Sequence, residues 1–173
     1  MKSFRPISNL SVVSKLLERV VARQLIEYHR SSDLLPNLKS AYTAANHSTE
    51  TAVLKVLADI LMAFDSGDFA LLTLLDLFAA FDSVDHETLL RCLRCSYGLN
   101  GAILDLFSSY LQGPVQHVRT RTSASTLSPV LCGVPQRSVL GPILFLLYTA
   151  DLLQLIKRFQ LIPHAYADDT QIF

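Results

Sequence analysis

The sequence predicts an α+β fold. Apolar residues recur at helical spacing along most of its 173 residues, whereas residues 69–75 and 162–167 form short, mostly apolar runs that are typical of strands. Half of the residues are hydrophobic and 17% are charged, which provides ample material for a core and excludes a disordered or collagen-like chain. No repeat or linker-like segment divides the sequence, so we expect a single domain.

A first helix is predicted over residues 11–28, because its apolar residues follow helical spacing and would form the buried face. These residues are Val12, Val13, Leu16, Leu17, Val20, Val21 and Leu25. Charged residues, Glu18 among them, are expected on the opposite, solvated face. Residues 31–46 are mostly polar and show no clear period.

Ser48 is expected to cap a second helix, with Glu50 favourably placed in the first turn and Ser66-Gly67 at the end. Its expected buried face comprises Val53, Leu54, Leu57, Ile60, Leu61 and Phe64. The almost wholly apolar run 69–75 then predicts a strand that is covered on both faces and stops at Asp76.

Two further helices are predicted over residues 85–96 and 102–111, each followed by a glycine. Asp82 and Asp85 precede the first of these helices, and we interpret them as capping residues rather than catalytic bases. Residues 115–122 alternate in part between apolar and polar side chains, which indicates an exposed strand.

A long apolar helix is predicted over residues 140–157. It is apolar enough to be mistaken for a membrane span, but Asp151 would cost about 2.5–3.5 kcal/mol at the centre of a bilayer. We therefore favour a buried helix and expect no membrane association. The last predicted elements are a strand over 162–167, a turn at Asp168-Asp169 and the start of a return strand.

Charge and cysteine content bear on the compartment and on partners. Three cysteines form no disulfide framework, and Cys92 and Cys95 lack a second pair of zinc ligands, so we interpret them as structural thiols. The N-terminal residues contain no apolar signal segment. We expect an intracellular protein, nuclear or cytoplasmic and not secreted. Because 15 basic and 15 acidic residues balance, binding to nucleic acid would need a local patch or other parts of a larger protein.

Three aspartates stand out for their positions. Burying a lone charge at the end of a strand, as at Asp76, is unfavourable in free energy. The charges of the adjacent Asp168 and Asp169 repel each other. If the two segments are neighbours in one sheet, three carboxylates converge, and divalent cations such as Mg²⁺ would compensate their charge. The residues alone leave an exposed, solvated hairpin tip as the alternative.

Five motifs occur in order along the chain. They are Arg5-Pro-Ile-Ser-Asn-Leu10, His47-Ser-Thr-Glu-Thr-Ala52, the run from Leu75 to His86, Gly133-Val-Pro-Gln136 with Ser138-Val-Leu-Gly-Pro142, and Tyr166-Ala-Asp-Asp169. The series resembles the reverse transcriptase domain of non-LTR (LINE-type) retrotransposons over essentially the whole chain. The resemblance implies an incomplete right-hand polymerase, with an antiparallel sheet packed on helices. Residues 1–68 would be the remainder of the fingers and residues 69–173 the palm, through the Tyr-Ala-Asp-Asp hairpin, with no thumb.

The resemblance also implies roles for individual residues. Asp76, Asp168 and Asp169 would be the catalytic residues that hold two Mg²⁺ ions, with Mn²⁺ as the alternative metal, for attack of a primer 3′-hydroxyl on the α-phosphate. The implied partners are an RNA template, a DNA primer and deoxynucleoside triphosphates. The implied activity is that of an RNA-directed DNA polymerase, a nucleotidyltransferase.

Four further positions are implied to contact the nucleotide. Phe81 matches the aromatic residue that excludes a ribose 2′-hydroxyl, and Gln136 matches the residue beside the nascent base pair. The backbone amides near Ala79 and Ala80 lie where the family binds the triphosphate.

The chain departs from the family pattern in ways that bear on activity. Arg137 occupies a position where the family has glycine and where backbone must approach the nucleotide closely. Phe78 replaces a small residue, and Thr43 stands where relatives carry a basic residue. The primer grip and the thumb are also missing from the match. We therefore expect that this chain does not polymerise by itself.

Two other interpretations stay open from the sequence. A remnant of a mobile element could act as a nucleic-acid-binding or partner-binding module, or have no function. A viral RNA polymerase palm also places paired aspartates at a hairpin tip, but Phe81 and the Ala-Asp-Asp sequence that begins at Ala167 favour a reverse transcriptase.

Overall fold

The computed structural model describes residues 7–32, 49–67, 69, 71–76, 80–119, 122–161, 163–166 and 169–172. For 49–52, 74–76, 163–166 and 169–172 the description covers the backbone. Most of the polar stretch predicted at 31–46 therefore lies outside the described residues, as do Thr43, Phe78, Ala79 and Asp168.

Within these ranges the chain forms six α-helices and five short strands. The helices are α1 (Val12–Ser31), α2 (Thr49–Asp65), α3 (His86–Cys95), α4 (Ala102–Gln112), α5 (Leu140–Tyr148) and α6 (Ala150–Arg158). The strands are β1 (Thr73–Asp76), β2 (Val115–Gln116), β3 (Ser128–Pro129), β4 (Pro163–Tyr166) and β5 (Asp169–Ile172). A single 3-10 turn, Ala80–Asp82, lies between β1 and α3.

Four of the five predicted helices are confirmed to within about three residues at their ends, and several other local predictions are wrong. The single helix expected over 140–157 is interrupted at Thr149. Of the described residues in the strand expected over 115–122, only β2 forms a strand, and it pairs with β3, a strand that no pattern indicated. Asp169, expected in a turn, is the first residue of β5.

The chain clusters into two compact units. Unit 1 comprises Met1–Leu34 and Ala79–Tyr148, and unit 2 comprises Leu35–Phe78 and Thr149–Phe173. In unit 1, α3 packs against α4 and α5, and α1 packs against α5. The largest fully buried apolar side chains of this core are Phe107, Phe145, Leu89, Leu93, Leu111, Leu144, Leu147 and Val84.

Helix α1 buries a different face from the predicted one. Its buried residues are Glu18, Ala22, Leu25 and His29, spaced by four, three and four residues. Of the predicted face only Leu25 is buried, whereas Val12 is 76% exposed and Leu16 is 54% exposed. The small Ala22 side chain lies on the face that meets α5, where bulky residues would hold the two helices apart. The prediction that Glu18 is solvated is therefore wrong.

A polar and aromatic cluster lies at the C-terminal end of α1. The His29 ring makes edge contacts with the rings of Tyr28 and Tyr97, at centroid distances of 5.4 and 4.9 Å. The Tyr28 hydroxyl donates to the Tyr97 carbonyl, and the Tyr97 hydroxyl donates to the Leu147 carbonyl. His29 is 1% exposed, and neither ring nitrogen has a hydrogen-bond partner among the described residues. Burial therefore lowers the pKa of His29.

Unit 2 contains an antiparallel sheet of three strands in the order β1-β5-β4. Helices α2 and α6 each pack against β4. Val56, Leu153 and Ile156 are buried. The predicted apolar face of α2 is wrong, because five of its six members are exposed, namely Val53, Leu54, Leu57, Leu61 and Phe64.

The strand predicted over 69–75 begins only at Thr73. Phe69 and Leu71, expected to be covered on both faces, are among the most exposed apolar side chains of the described part, at 103% and 78%. The apolar run therefore overstates the length and the burial of the strand, although Asp76 does end it as predicted.

Residues Leu140–Arg158 are long and apolar enough to cross a membrane when judged by length and composition alone. Half of the most apolar 18-residue window is buried within the protein, and a core helix passes the same test. The burial of Leu144, Phe145 and Leu147 favours the predicted core helix.

The environment of His29 predicts how stability varies with pH. Its folded pKa lies below the unfolded value near 6.5, so the unfolded state binds more protons at mildly acidic pH. The free energy of unfolding should therefore fall as the pH drops below about 6.5 and should stop falling below the folded pKa. Urea unfolding at pH 7.5 and 5.5 should show a smaller loss in His29→Phe than in the unsubstituted chain.

The control for this experiment is His117→Gln, because His117 is exposed. This variant should keep the pH dependence of the unsubstituted chain. Equal pH dependence in His29→Phe and the unsubstituted chain would show that His29 is not the group responsible.

Candidate active-site residues

The backbone register of unit 2 brings two of the three predicted carboxylate residues together. Strand β1 pairs with β5 so that Asp76 is the direct partner of Asp169. In antiparallel sheets, direct partners generally share a face, with Cβ atoms about 4.5–5.5 Å apart. Two residues separated by more than ninety positions in the sequence are therefore cross-strand neighbours, which is the condition that the sequence analysis set for convergence of the carboxylates.

The third carboxylate residue, Asp168, lies outside the described residues. Strands β4 and β5 pair antiparallel, with Tyr166 opposite Asp169. Asp168 is thus next along the chain to the residue that faces Asp76. Oxygen ligands from one or two carboxylates are what Mg²⁺ prefers, so the backbone arrangement fits the implied metal. Among the side chains that the structure describes, no cluster of three or more His, Cys, Asp or Glu residues is found elsewhere.

Phe81, the predicted aromatic residue of the nucleotide site, belongs to unit 1. It lies in the 3-10 turn, and its ring packs against Phe145 at a centroid distance of 4.8 Å. Its carbonyl accepts a hydrogen bond of 2.7 Å from the backbone N–H of Val134. Both the ring and the backbone of Phe81 are thus held, while the side chain stays half-buried. The neighbouring Ala80 is buried at 4% exposure.

Gln136, the second predicted nucleotide residue, is tied to the same turn. Its side-chain Nε2 donates a 2.8 Å hydrogen bond to Oδ1 of Asp82. The sequence had predicted that Asp82 caps α3. This prediction is wrong, because Asp82 binds the Gln136 side chain instead. Asp85 does cap α3, because its Oδ2 accepts from the N–H of Thr88 at 2.7 Å. Hydrogen bonding to the Thr88 side chain, and then to this N–H, lowers the pKa of the Asp85 carboxyl.

The segment before Gln136 is packed too closely against the 3-10 turn for any residue but glycine. Gly133 has φ of 92°, and a Cβ there would lie 2.9 Å from the Cα of Asp82 and 3.0 Å from two carbonyl oxygens. Its N–H donates to the Val84 carbonyl, and its own carbonyl is 2.7 Å from Nε2 of the buried His86. The close approach to the 3-10 turn therefore explains why the Gly133-Val-Pro-Gln136 motif begins with glycine.

Arg137 adopts φ of 62°, a conformation that L side chains rarely occupy and that glycine adopts freely. The backbone here supports the expectation that glycine is the residue suited to this position. A side chain in the left-handed region costs about 1–2 kcal/mol. Arg137 is exposed, so packing does not offset this cost.

The Ser138-Val-Leu-Gly-Pro142 motif forms the start of α5. The Ser138 hydroxyl accepts from the N–H of Gly141 at 2.8 Å and donates to the Pro135 carbonyl at 2.7 Å. A Cβ at Gly141 would lie 2.6 Å from that hydroxyl and 2.8 Å from that carbonyl. Ser138 and Gly141 are therefore needed together at this helix start.

A residue that the sequence analysis missed completes this helix start. Oε2 of Glu18, on α1, accepts hydrogen bonds from the backbone N–H groups of Val139 and Leu140. Glu18 is 4% exposed, so its negative charge lies at the positive end of α5 in a desolvated environment. The four-, three- and four-residue spacing to Ala22, Leu25 and His29 was the only sequence signal that could have placed it on the buried face.

Tyr110 lies close to this carboxylate, with Glu18 in one cavity of about 200 Å³. Neither Oε1 of Glu18 nor the Tyr110 hydroxyl has a hydrogen-bond partner within the described residues. Burial raises the pKa of Tyr110 well above its ordinary value, and the charge of Glu18 adds a smaller upward effect. Tyr110 therefore stays neutral throughout the physiological range.

Comparison with known proteins identifies the protein family to which this chain belongs. Residues 1–173 match the family described as reverse transcriptase (RNA-dependent DNA polymerase), and the chain belongs to that family. Its relatives among transposon polymerases place it in the LINE-type group, which agrees with the resemblance carried by the five sequence motifs.

Those relatives come from transposons of Drosophila melanogaster. The probable RNA-directed DNA polymerase from transposon X-element is 36% identical over 152 residues, which cover 88% of this chain and 16% of the relative. The corresponding protein from transposon BS is 36% identical over 151 residues, and covers 87% of this chain and 16% of the relative. The chain therefore spans about a sixth of the length of these relatives.

Solved structures support the fold. Apo telomerase from Candida tropicalis, truncated from its C-terminal domain, aligns with a TM-score of 0.60 at 14% identity, over 92% of this chain and 34% of that one. Telomerase from Candida albicans, in complex with a TWJ fragment of telomeric RNA, aligns with a TM-score of 0.58 at 15% identity, over 93% of this chain and 30% of that one. The helices with a small antiparallel sheet are thus part of a reverse transcriptase fold.

The contacts of Glu18 predict that its loss destabilises the chain. Glu18→Ala should lower the free energy of unfolding by about 1.5–3 kcal/mol, because a charge-assisted hydrogen bond is lost and one buried and one partly buried N–H group lose their acceptor. Glu27→Ala is the matched control on the same helix, because Glu27 is exposed. Urea unfolding measures both, and similar losses in the two variants would contradict the role of Glu18.

Proposed function

We propose that this chain is the fingers remainder and palm of an RNA-directed DNA polymerase, with the fingers over residues 1–68 and the palm over 69–173. Asp76, Asp168 and Asp169 would hold two Mg²⁺ ions. The observation that carries this proposal is the register that pairs Asp76 with Asp169 across two strands. When bound, such ions neutralise phosphate charge and lower the pKa of a coordinated hydroxyl.

The chain's own residues would bind and orient the incoming deoxynucleoside triphosphate. Phe81 has a held backbone and a ring packed on Phe145, so it could exclude a ribose 2′-hydroxyl without moving. Gln136 would lie against the nascent base pair. The amides near Ala79 and Ala80, at the strand-to-helix turn that the sequence predicts, would bind triphosphate oxygens. These roles rest on the family motifs, and the contacts of Phe81 and Gln136 support them.

We propose an RNA template and a DNA primer as the partners of the longer protein, in the nucleus or cytoplasm. The relatives are named RNA-directed DNA polymerases from transposons, and one structural neighbour is a telomerase in complex with telomeric RNA. The balanced charge of this chain favours a nucleic-acid surface that other parts of such a protein complete.

We further propose that this chain alone does not extend a primer. The side chain of Arg137 stands at a glycine-type backbone position next to Gln136, where it would compete with the nucleotide for space. The second candidate is a non-enzymatic remnant, and the same observation at Arg137 favours it. Extension of an RNA-templated DNA primer by the purified chain, with Mg²⁺ and all four deoxynucleotides, would overturn the proposed inactivity.

Metal binding tests the proposed site directly. We expect the unsubstituted chain to melt several degrees higher with about 10 mM Mg²⁺ plus a deoxynucleoside triphosphate, since a ligand at roughly ten times its Kd stabilises by about 1.4 kcal/mol. Asp76→Asn should abolish this shift. Asp65→Asn, at an exposed position in the same unit, should leave it intact. An equal shift in both variants would overturn the assignment of the metal to Asp76.

Replacing Arg137 by glycine should improve stability and nucleotide binding together. Relief of the left-handed side chain, less the extra entropy of a glycine in the unfolded chain, should raise the free energy of unfolding by up to about 1 kcal/mol. Gln160→Gly is the matched control, because Gln160 has φ of 61°. Urea unfolding should show a gain in both variants. Calorimetry should show tighter nucleotide binding in Arg137→Gly alone, and no difference between the two would contradict the steric role of Arg137.

A further inference from the structure

The hydrogen bond between Gln136 and Asp82 fixes which way the glutamine amide faces. An ionised carboxylate only accepts hydrogen bonds, so the amide nitrogen of Gln136 must face Oδ1 of Asp82. The carbonyl oxygen and one remaining N–H of the amide are then left for other partners. With the carboxylate present, exchanging the amide oxygen and nitrogen would place two acceptor oxygens against each other. Without the carboxylate, the amide could adopt either orientation.

The backbone on both sides of this hydrogen bond is held in place. The 3-10 turn that contains Asp82 and the segment that leads to Gln136 are joined by Gly133 N–H to Val84 and by Val134 N–H to Phe81, both at 2.7 Å. The close approach of Gly133 to the Asp82 backbone leaves no room for a side chain between them. The 2.8 Å side-chain contact is therefore built on a fixed frame.

Both side chains are half-buried, so this hydrogen bond is partly shielded from water while the glutamine stays accessible. A charge-assisted bond in such a place is stronger than a neutral one at the surface. Asp82 also directly follows Phe81, the aromatic residue with which Gln136 shares the proposed nucleotide site. Asp82 thus connects Phe81 and Gln136, two of the four predicted nucleotide-contact positions.

We propose that Asp82 is a positioning residue that holds the Gln136 amide in a single orientation for the incoming nucleotide. This inference rests on the proposed function, since it deepens the role of Gln136. Asp82 acts through Gln136 and makes no contact with the nucleotide. Loss of Asp82 therefore weakens nucleotide binding only as long as Gln136 is present.

A double-mutant cycle on nucleotide affinity tests this dependence. The 173-residue chain and its variants Asp82→Ala, Gln136→Ala and the double substitution are titrated calorimetrically with thymidine triphosphate in the presence of Mg²⁺. Asp82→Ala should weaken binding about tenfold, and Gln136→Ala by at least as much. The double variant should bind no more weakly than Gln136→Ala alone. A purely structural role of Asp82 would instead weaken binding in both backgrounds, and would overturn the proposal.

Two further variants control for folding. Asp85→Ala removes the cap of α3 three residues away, so it should lower the melting temperature without changing nucleotide affinity. Asp82→Asn retains an acceptor but can also donate, so Gln136 is no longer confined to one orientation, and we expect a folded chain with an intermediate loss of affinity. Unchanged affinity in Asp82→Asn and Asp82→Ala overturns the positioning role alone. Failure of the unsubstituted chain to bind the nucleotide overturns the proposed nucleotide site and, with it, this inference.

Discussion

Hydrogen bonds from three separate elements hold the segment 133–140 in unit 1, and the candidate nucleotide residues depend on this anchoring. His86 binds the carbonyl of Gly133, Asp82 binds the side chain of Gln136, and Glu18 binds the backbone N–H groups at the start of α5. Each contact satisfies a polar group that would otherwise be wholly or partly buried without a partner. The segment is irregular in its dihedral angles, yet its position is set at the beginning, in the middle and at the end.

The sequence predicted the motif residues better than it predicted the packing. Helical spacing located α1 and α2 to within a few residues, but it assigned the wrong buried face to both. The buried face of α1 includes Glu18 and His29, which a search for apolar residues does not select. Packing selected the face with the small Ala22 in α1 and left Val12 exposed. Periodicity measures how apolar a face is, whereas burial depends on which face fits its neighbour, and that information lies elsewhere in the chain.

The long-range polar contacts were beyond sequence reasoning for a related reason. Gln136 and Asp82 are 54 residues apart, and Glu18 and Val139 are 121 residues apart. Asp82 and Glu18 each have a plausible local role, as a helix cap and as a solvated charge. Only the helical spacing of Glu18 to Ala22, Leu25 and His29 points away from that role. Gly133 and Ser138, in contrast, lie in motifs whose spacing the fold requires, and the contacts that a Cβ would meet at Gly133 explain the requirement.

In unit 2, the proposed metal site depends on strand register more than on any side-chain contact. Strands β1 and β5 pair through only four residues each, from Thr73 opposite Ile172 to Asp76 opposite Asp169. Since successive residues of a strand face opposite sides of the sheet, a slip of one position would place the two aspartates on opposite faces. Asp169 of β5 pairs with Tyr166 of β4 on one side and with Asp76 of β1 on the other. The pairing of β1 with β5 therefore determines where Asp76 lies relative to Asp169, the two residues on whose neighbourhood the proposed metal site depends.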